Sequence, residues 1–140
     1  MRVKSIVLAV LLLPIACSGS AAERVDVCDI LANPVKYDHH RVTFDAAMHA
    51  DIETVSANGF DCFTKSIGIQ KDYKGEWPYF ELLHEAQQRA PNGVGYWPVA
   101  TMTGTIRVYD SPARATRPRL RTVILENAEI TNPRLEQVSQ

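Results

Sequence analysis

The sequence predicts a mainly β domain: five strands closing into a small barrel, with a short N-terminal helix and one further helix between the third and fourth strands. Three observations carry this. Apolar and polar residues alternate strictly over Arg41–Ala50 and again over Val99–Tyr109, the period-two signature of half-buried strands. Gly104 interrupts the second of these runs, as a bulge or sharp bend in a closed sheet would require. Turn signals at Asn33-Pro34, Asn58-Gly59 and Pro91-Asn92-Gly93 divide the chain into short segments. An open α+β sandwich with the same elements is the alternative architecture.

Taken in order, Asp26 is placed to cap a helix over Val27–Ala32, with Asp29 favourable in its first turn and Val27, Ile30 and Leu31 on one face. Pro34 ends it, because proline has no backbone donor and pushes the preceding residue out of helical geometry. The first strand follows over Arg41–Ala50, with Val42, Phe44, Ala46 and Met48 facing inward. Asp51 to Phe60 reads as a second strand ending in the Asn58-Gly59 turn, since both residues tolerate positive φ. Phe60 to Gln70 holds a third strand, with Phe63, Ile67 and Ile69 as inward candidates. Tyr79, Leu82, Leu83 and Ala86 form a helical stripe behind Trp77-Pro78. Val99–Tyr109 and Leu120–Thr131 supply the last two strands. Three strands, a helix, then two strands is the element order of the oligonucleotide- and oligosaccharide-binding barrel, the OB-fold.

Residues 1–22 have the layout of a secretory leader: Arg2 and Lys4, an apolar run from Ile6 to Ile15, then small residues suited to cleavage before Glu23. The run is shorter than a membrane-crossing helix needs. Cys17, behind Leu13-Pro14-Ile15-Ala16, is a rival lipid-acceptor site that would attach the chain to a membrane. A periplasmic or secreted location is expected, with residues 23–140 as one domain. Removal of the leader takes Arg2 and Lys4 away, so 13 basic side chains face 16 acidic ones. A general nucleic-acid binder would be basic. The leader's removal leaves Cys28 and Cys62, an even pair in an oxidising compartment, and a disulfide between them is expected.

The run Val27-Cys-Asp-Ile-Leu-Ala-Asn-Pro-Val-Lys-Tyr-Asp, with a following strand, a later cysteine and a Thr-Gly-Thr-Ile-Arg-Val strand, resembles a group of small exported bacterial proteins with an OB-like fold and unassigned function. The resemblance covers most of the mature chain and implies fold rather than activity. His39 stands where that group usually has a turn glycine, and Asp45–Ala47 lack its strand glycine.

No Gly-x-Ser-x-Gly, phosphate-loop or His-Glu-x-x-His pattern occurs, so the chain reads as non-catalytic and no cofactor is expected. Asp45, His49 and Asp51 would share a face if the first strand ran on, which makes them the best metal or acid/base candidates, although an ordinary solvated face explains them as well. Arg107, Arg114, Arg117, Arg119 and Arg121 crowd the connection between the last two strands, accompanied by a single acid, Asp110. Guanidinium forks suit phosphate or carboxylate, so an anionic envelope ligand or partner is expected at this hairpin. The simpler reading is a charged hairpin that keeps a sheet edge soluble. Trp77 and Trp97 flank the second helix and can stack on a ligand or plug the barrel end. A structural or assembly role in the envelope, through an exposed edge strand, is the competing function.

Overall fold

A computed structural model describes residues 21–90, 95–114, 116 and 118–138. Residues 1–20, most of the expected leader and with them Cys17, the Pro91-Asn92-Gly93 turn signal and Arg117 lie outside the described residues. The described residues are mainly β, 51% strand against 19% helix. Its elements are β1 (Glu23–Arg24), α1 (Val27–Ala32), α2 (Pro34–Tyr37), β2 (Arg41–Ala50), β3 (Val55–Asn58), β4 (Ser66–Ile69), β5 (Lys74–Gly75), α3 (Tyr79–Arg89), β6 (Tyr96–Ser111) and β7 (Leu120–Gln137).

Five of the strands form a ring. β2 pairs antiparallel with β3, and β3 with β4; β4 pairs parallel with β7, β7 antiparallel with β6, and β6 returns to β2. The two short strands lie outside it, β1 beside β2 and β5 beside β7. The alternation marks the inward residues of two ring strands, Val42, Phe44 and Met48 from β2 and Ala100, Met102 and Ile106 from β6; from β7 it is Val123 and Leu125 that face the interior. Ala57, Ile67 and Ile69 complete the interior, and Val27, Ile30 and Leu31 of α1 close over it.

Local chemistry accounts for the helices. Asp26 accepts a hydrogen bond from the Cys28 N–H at 2.6 Å and satisfies one orphan donor at the start of α1. Pro34 ends α1 as expected but also opens α2, because a first-turn proline costs no hydrogen bond and its φ already suits a helix.

Three expectations are corrected. The second strand is only Val55–Asn58, because Asp51 folds the preceding residues into a turn: its carboxylate accepts from the Glu53 and Thr54 N–H groups and from the Thr54 hydroxyl. The third strand is only Ser66–Ile69, and Phe63 is 45% exposed on the loop before it, a loop turned by the backbone bonds Cys62 N–H to Gly59 O and Lys65 N–H to Cys62 O. The bulges fall on β7, not on β6. Between the pairs Thr103↔Glu129 and Thr105↔Glu126, and again between Val99↔Arg134 and Thr101↔Thr131, β7 spends one residue more than β6. Asn127 and Asn132 take up the excess at φ 49° and 50°, a conformation asparagine tolerates. Gly104 serves the first bulge from across the ladder, since a Cβ there would stand 2.8 Å from both Leu125 Cγ and the Glu126 carbonyl.

The Cys28–Cys62 disulfide is present and ties α1 to the β3–β4 loop.

Candidate functional site

The outer face of β3, β4 and β7 is where the structure forms concave surface. Along this face Ser56 pairs with Gly68 and Gly68 with Ile124, so three strands meet across one row. With no side chain, Gly68 leaves the row hollow, and a Cβ there would meet nothing closer than 3.7 Å. Two concavities share this floor. One, of about 680 Å³, rises toward the β2–β3 turn and is walled by Ile52, Glu53, Gln70, Tyr73, Tyr109 and Glu126. The other, of about 810 Å³, descends between the two strands toward α1, past Lys65, Ser66, Arg121, Thr122, Leu31 and Pro34.

The two ends differ in charge. At the upper end Glu53 and Glu126 face Lys71. Glu126 accepts a hydrogen bond from the Tyr109 hydroxyl at 2.6 Å, which raises the pKa of that phenol. Asp51, whose pKa is lowered by the N–H groups of Glu53 and Thr54, stiffens the turn that carries the fully exposed Ile52. At the lower end Lys65 and Arg121 line the hollow with His49, and Asp51 at its top is the one carboxylate among its described lining residues.

The structure distributes the hairpin arginines rather than gathering them. Arg107 lies between Asp38 and Glu126, at 3.9 and 3.6 Å. Arg119 and Arg121 converge on Asp110, Arg121 through both Nε and Nη2, and the two guanidiniums hold that carboxyl at about 2. One carboxylate neutralises only one of the two cations. Arg114 is exposed farther out, in a shallow hollow with Ser111, Pro112 and Pro118.

Asp45 stands apart from His49 and Asp51, which both line the lower hollow. Asp45 accepts from Arg24 at 2.5 Å and from the Thr101 hydroxyl at 2.6 Å, with Arg134 at 3.8 Å. The His49 ring meets the edge of Tyr79 at 5.8 Å. Asp51 belongs to its own turn, since β2 stops at Ala50. Among the described residues no group of three His, Cys, Asp or Glu side chains could hold a metal ion. Trp77 and Trp97 are likewise separate: Trp77 packs on Tyr73 against the core, its Nε1 buried without a partner, and Trp97 packs on Phe63 at 5.4 Å.

The shared floor at Gly68 and the Asp51–Thr54 turn were not singled out from sequence. The Asp-x-x-Thr spacing was a readable signal for the turn; the floor was not readable, because it needs the pairing of β4 with β7.

No family model, curated protein or solved structure matches the chain.

Proposed function

We propose that this chain is an exported, non-catalytic binding module of the OB type that takes an anionic envelope ligand or partner on the outer face of β3, β4 and β7. The carrying observation is the pair of hollows that share Gly68 as their floor, with the β2–β3 turn at one rim and the first residues of β7, Leu120 and Arg121, at the other. In OB barrels the face of the second and third strands, with the loops after the first and fourth, receives extended polymers, and the hollows here lie on the corresponding face and reach the first of those loops. The ring order and the helix between the third and fourth ring strands support that architecture. An anion is favoured by Lys65 and by the cation that Asp110 leaves uncompensated between Arg119 and Arg121. The non-catalytic reading is supported by the engagement of Asp45, His49 and Asp51 in structural contacts.

Polyphosphate, poly-L-glutamate and phosphatidylglycerol vesicles are suitable probes. At least one is expected to bind, and to weaken about tenfold or more from low to physiological salt. At Gly68 a Cβ would make only ordinary contact, 3.7 Å from the Val123 carbonyl oxygen, so Gly68→Trp should fill the floor and abolish that binding while the thermal midpoint holds. Binding indifferent to Gly68→Trp, or none with all three probes, rejects the proposal.

A further inference from the structure

The lower hollow is an unfinished seam. β4 and β7 run parallel but register only at Gly68↔Ile124 and Ile69↔Leu125, with the Gln70 N–H continuing to the Leu125 carbonyl at 3.2 Å. Below Gly68 the strands separate. There β4 pairs only with β3, through Ser66↔Asn58, and β7 only with β6, through Leu120↔Ser111 to Val123↔Val108. Because the Leu125 carbonyl points toward β4, strand alternation directs the backbone groups of Val123 and Arg121 to the same side. From the opposite wall, Gln70 and Gly68 alternate with their neighbours so that Ser66 faces β7. The β4–β7 register stops at Gly68↔Ile124, so Ser66 and Arg121 have no ladder partner in each other across this gap. The gap opens into the hollow of about 810 Å³ that extends from the β2–β3 turn to Leu31 and Pro34.

We propose that this seam receives an extended, acidic peptide segment that adds as a strand against Arg121–Val123. The inference rests on the binding-module reading above and names the ligand class and the mode. Two facing strand edges with open backbone groups match a polypeptide, which repeats donors and acceptors at the strand spacing. Charge selects the segment: Lys65 stands on one wall and Arg121 on the other, and Arg121 shares Asp110 with Arg119, so the pair leaves a net positive charge at the rim. Alternate acidic side chains of an added strand would meet those cations, while its other face lies toward Leu31, Pro34 and the exposed Leu120.

The oxidised protein is screened against a displayed library of random heptapeptides, and the strongest binder is synthesised for amide hydrogen exchange. Enriched peptides should carry acids at alternate positions. Their binding should slow exchange at the Arg121 and Val123 amides about tenfold or more, while the Thr122 amide, directed toward β6, changes little. The double variant Lys65→Glu/Arg121→Glu should shift enrichment to basic peptides. Peptides that bind without slowing Arg121 and Val123 overturn strand addition, and so does enrichment unchanged by the charge reversal. If no peptide is enriched while polyphosphate or vesicles still bind in a Gly68-dependent way, the peptide inference fails and the binding reading stands.

Discussion

His39 holds a φ of 66°, inside the left-handed region where side chains are strained, at the turn that delivers the chain into β2. The turn is locked from both sides, since the His39 N–H reaches the Ile106 carbonyl at 2.8 Å and the Ile106 N–H returns to the His40 carbonyl at 3.0 Å. Glycine would relieve the strain at some cost in unfolded-state entropy. His39→Gly should therefore stabilise the protein by about 0.5–1 kcal/mol in chemical denaturation; a loss of stability would show that the exposed His39–Asp38 pair, at 3.5 Å, outweighs it. Asp110 supplies a second test at this scale. Its carboxyl sits at about 2 when folded against 3.8 unfolded, because Arg121 and Arg119 bond and surround the ionised form. A lowered value means that the ionised group adds stability above about pH 4 and loses it as the pH falls toward 2. The gap in thermal midpoint between the parent and Asp110→Asn should be present at pH 6 and close through that window. A gap that persists at pH 2 would assign the effect to something other than this charge.

β6 and β7 make the longest ladder in the molecule, and its curvature depends on two places where β7 carries an extra residue. The residues that permit this are on both strands: Asn127 and Asn132 adopt positive φ, and Gly104 leaves room for Leu125 and Glu126. Gly104→Ala must push Leu125, a fully buried residue, or part the two strands. Its expected cost is about 1–3 kcal/mol, read as a lowered denaturant midpoint; an unperturbed midpoint would mean that the bulge opens without strain. The alternation in β2 and β6 was legible because a half-buried strand writes its two faces directly into the sequence. The ends of β3 and β4 were not, since Asp51 takes the backbone of its own turn and the next loop is shaped by a cysteine distant in sequence.

For the whole molecule, the Cys28–Cys62 bridge joins the helix that closes over the ring interior to the loop leading to β4. Gly59 lies against it so closely that a Cβ would overlap both sulfurs. The Asn58-Gly59 pair thus has its glycine for space beside the disulfide rather than for a left-handed turn, as Gly59 is absent from the positive-φ positions. Replacing both cysteines by alanine releases a loop of about 35 residues and should cost roughly 3–4 kcal/mol on the chain-entropy estimate. The loss should appear in equilibrium unfolding under oxidising conditions and vanish when parent and variant are compared under reduction. A difference that survives reduction would indicate lost packing rather than a lost cross-link.

What the sequence determined by itself was local and periodic: α1 with its Asp26 cap, the inward faces of β2 and β6, the order of the ring elements and the pairing of Cys28 with Cys62. Each follows from side-chain spacing, or from counting, within reach of neighbouring residues. Tertiary structure alone decided which charges are spent and where a hollow opens. Arg107, Arg119 and Arg121 look free in the sequence because Asp38, Asp110 and Glu126 meet them only through the folding of β2, β6 and β7 against one another. The floor at Gly68 and the open seam below it exist because β4 and β7 pair for two residues and then part, a register that depends on the closure of the entire ring and that no single stretch of chain encodes.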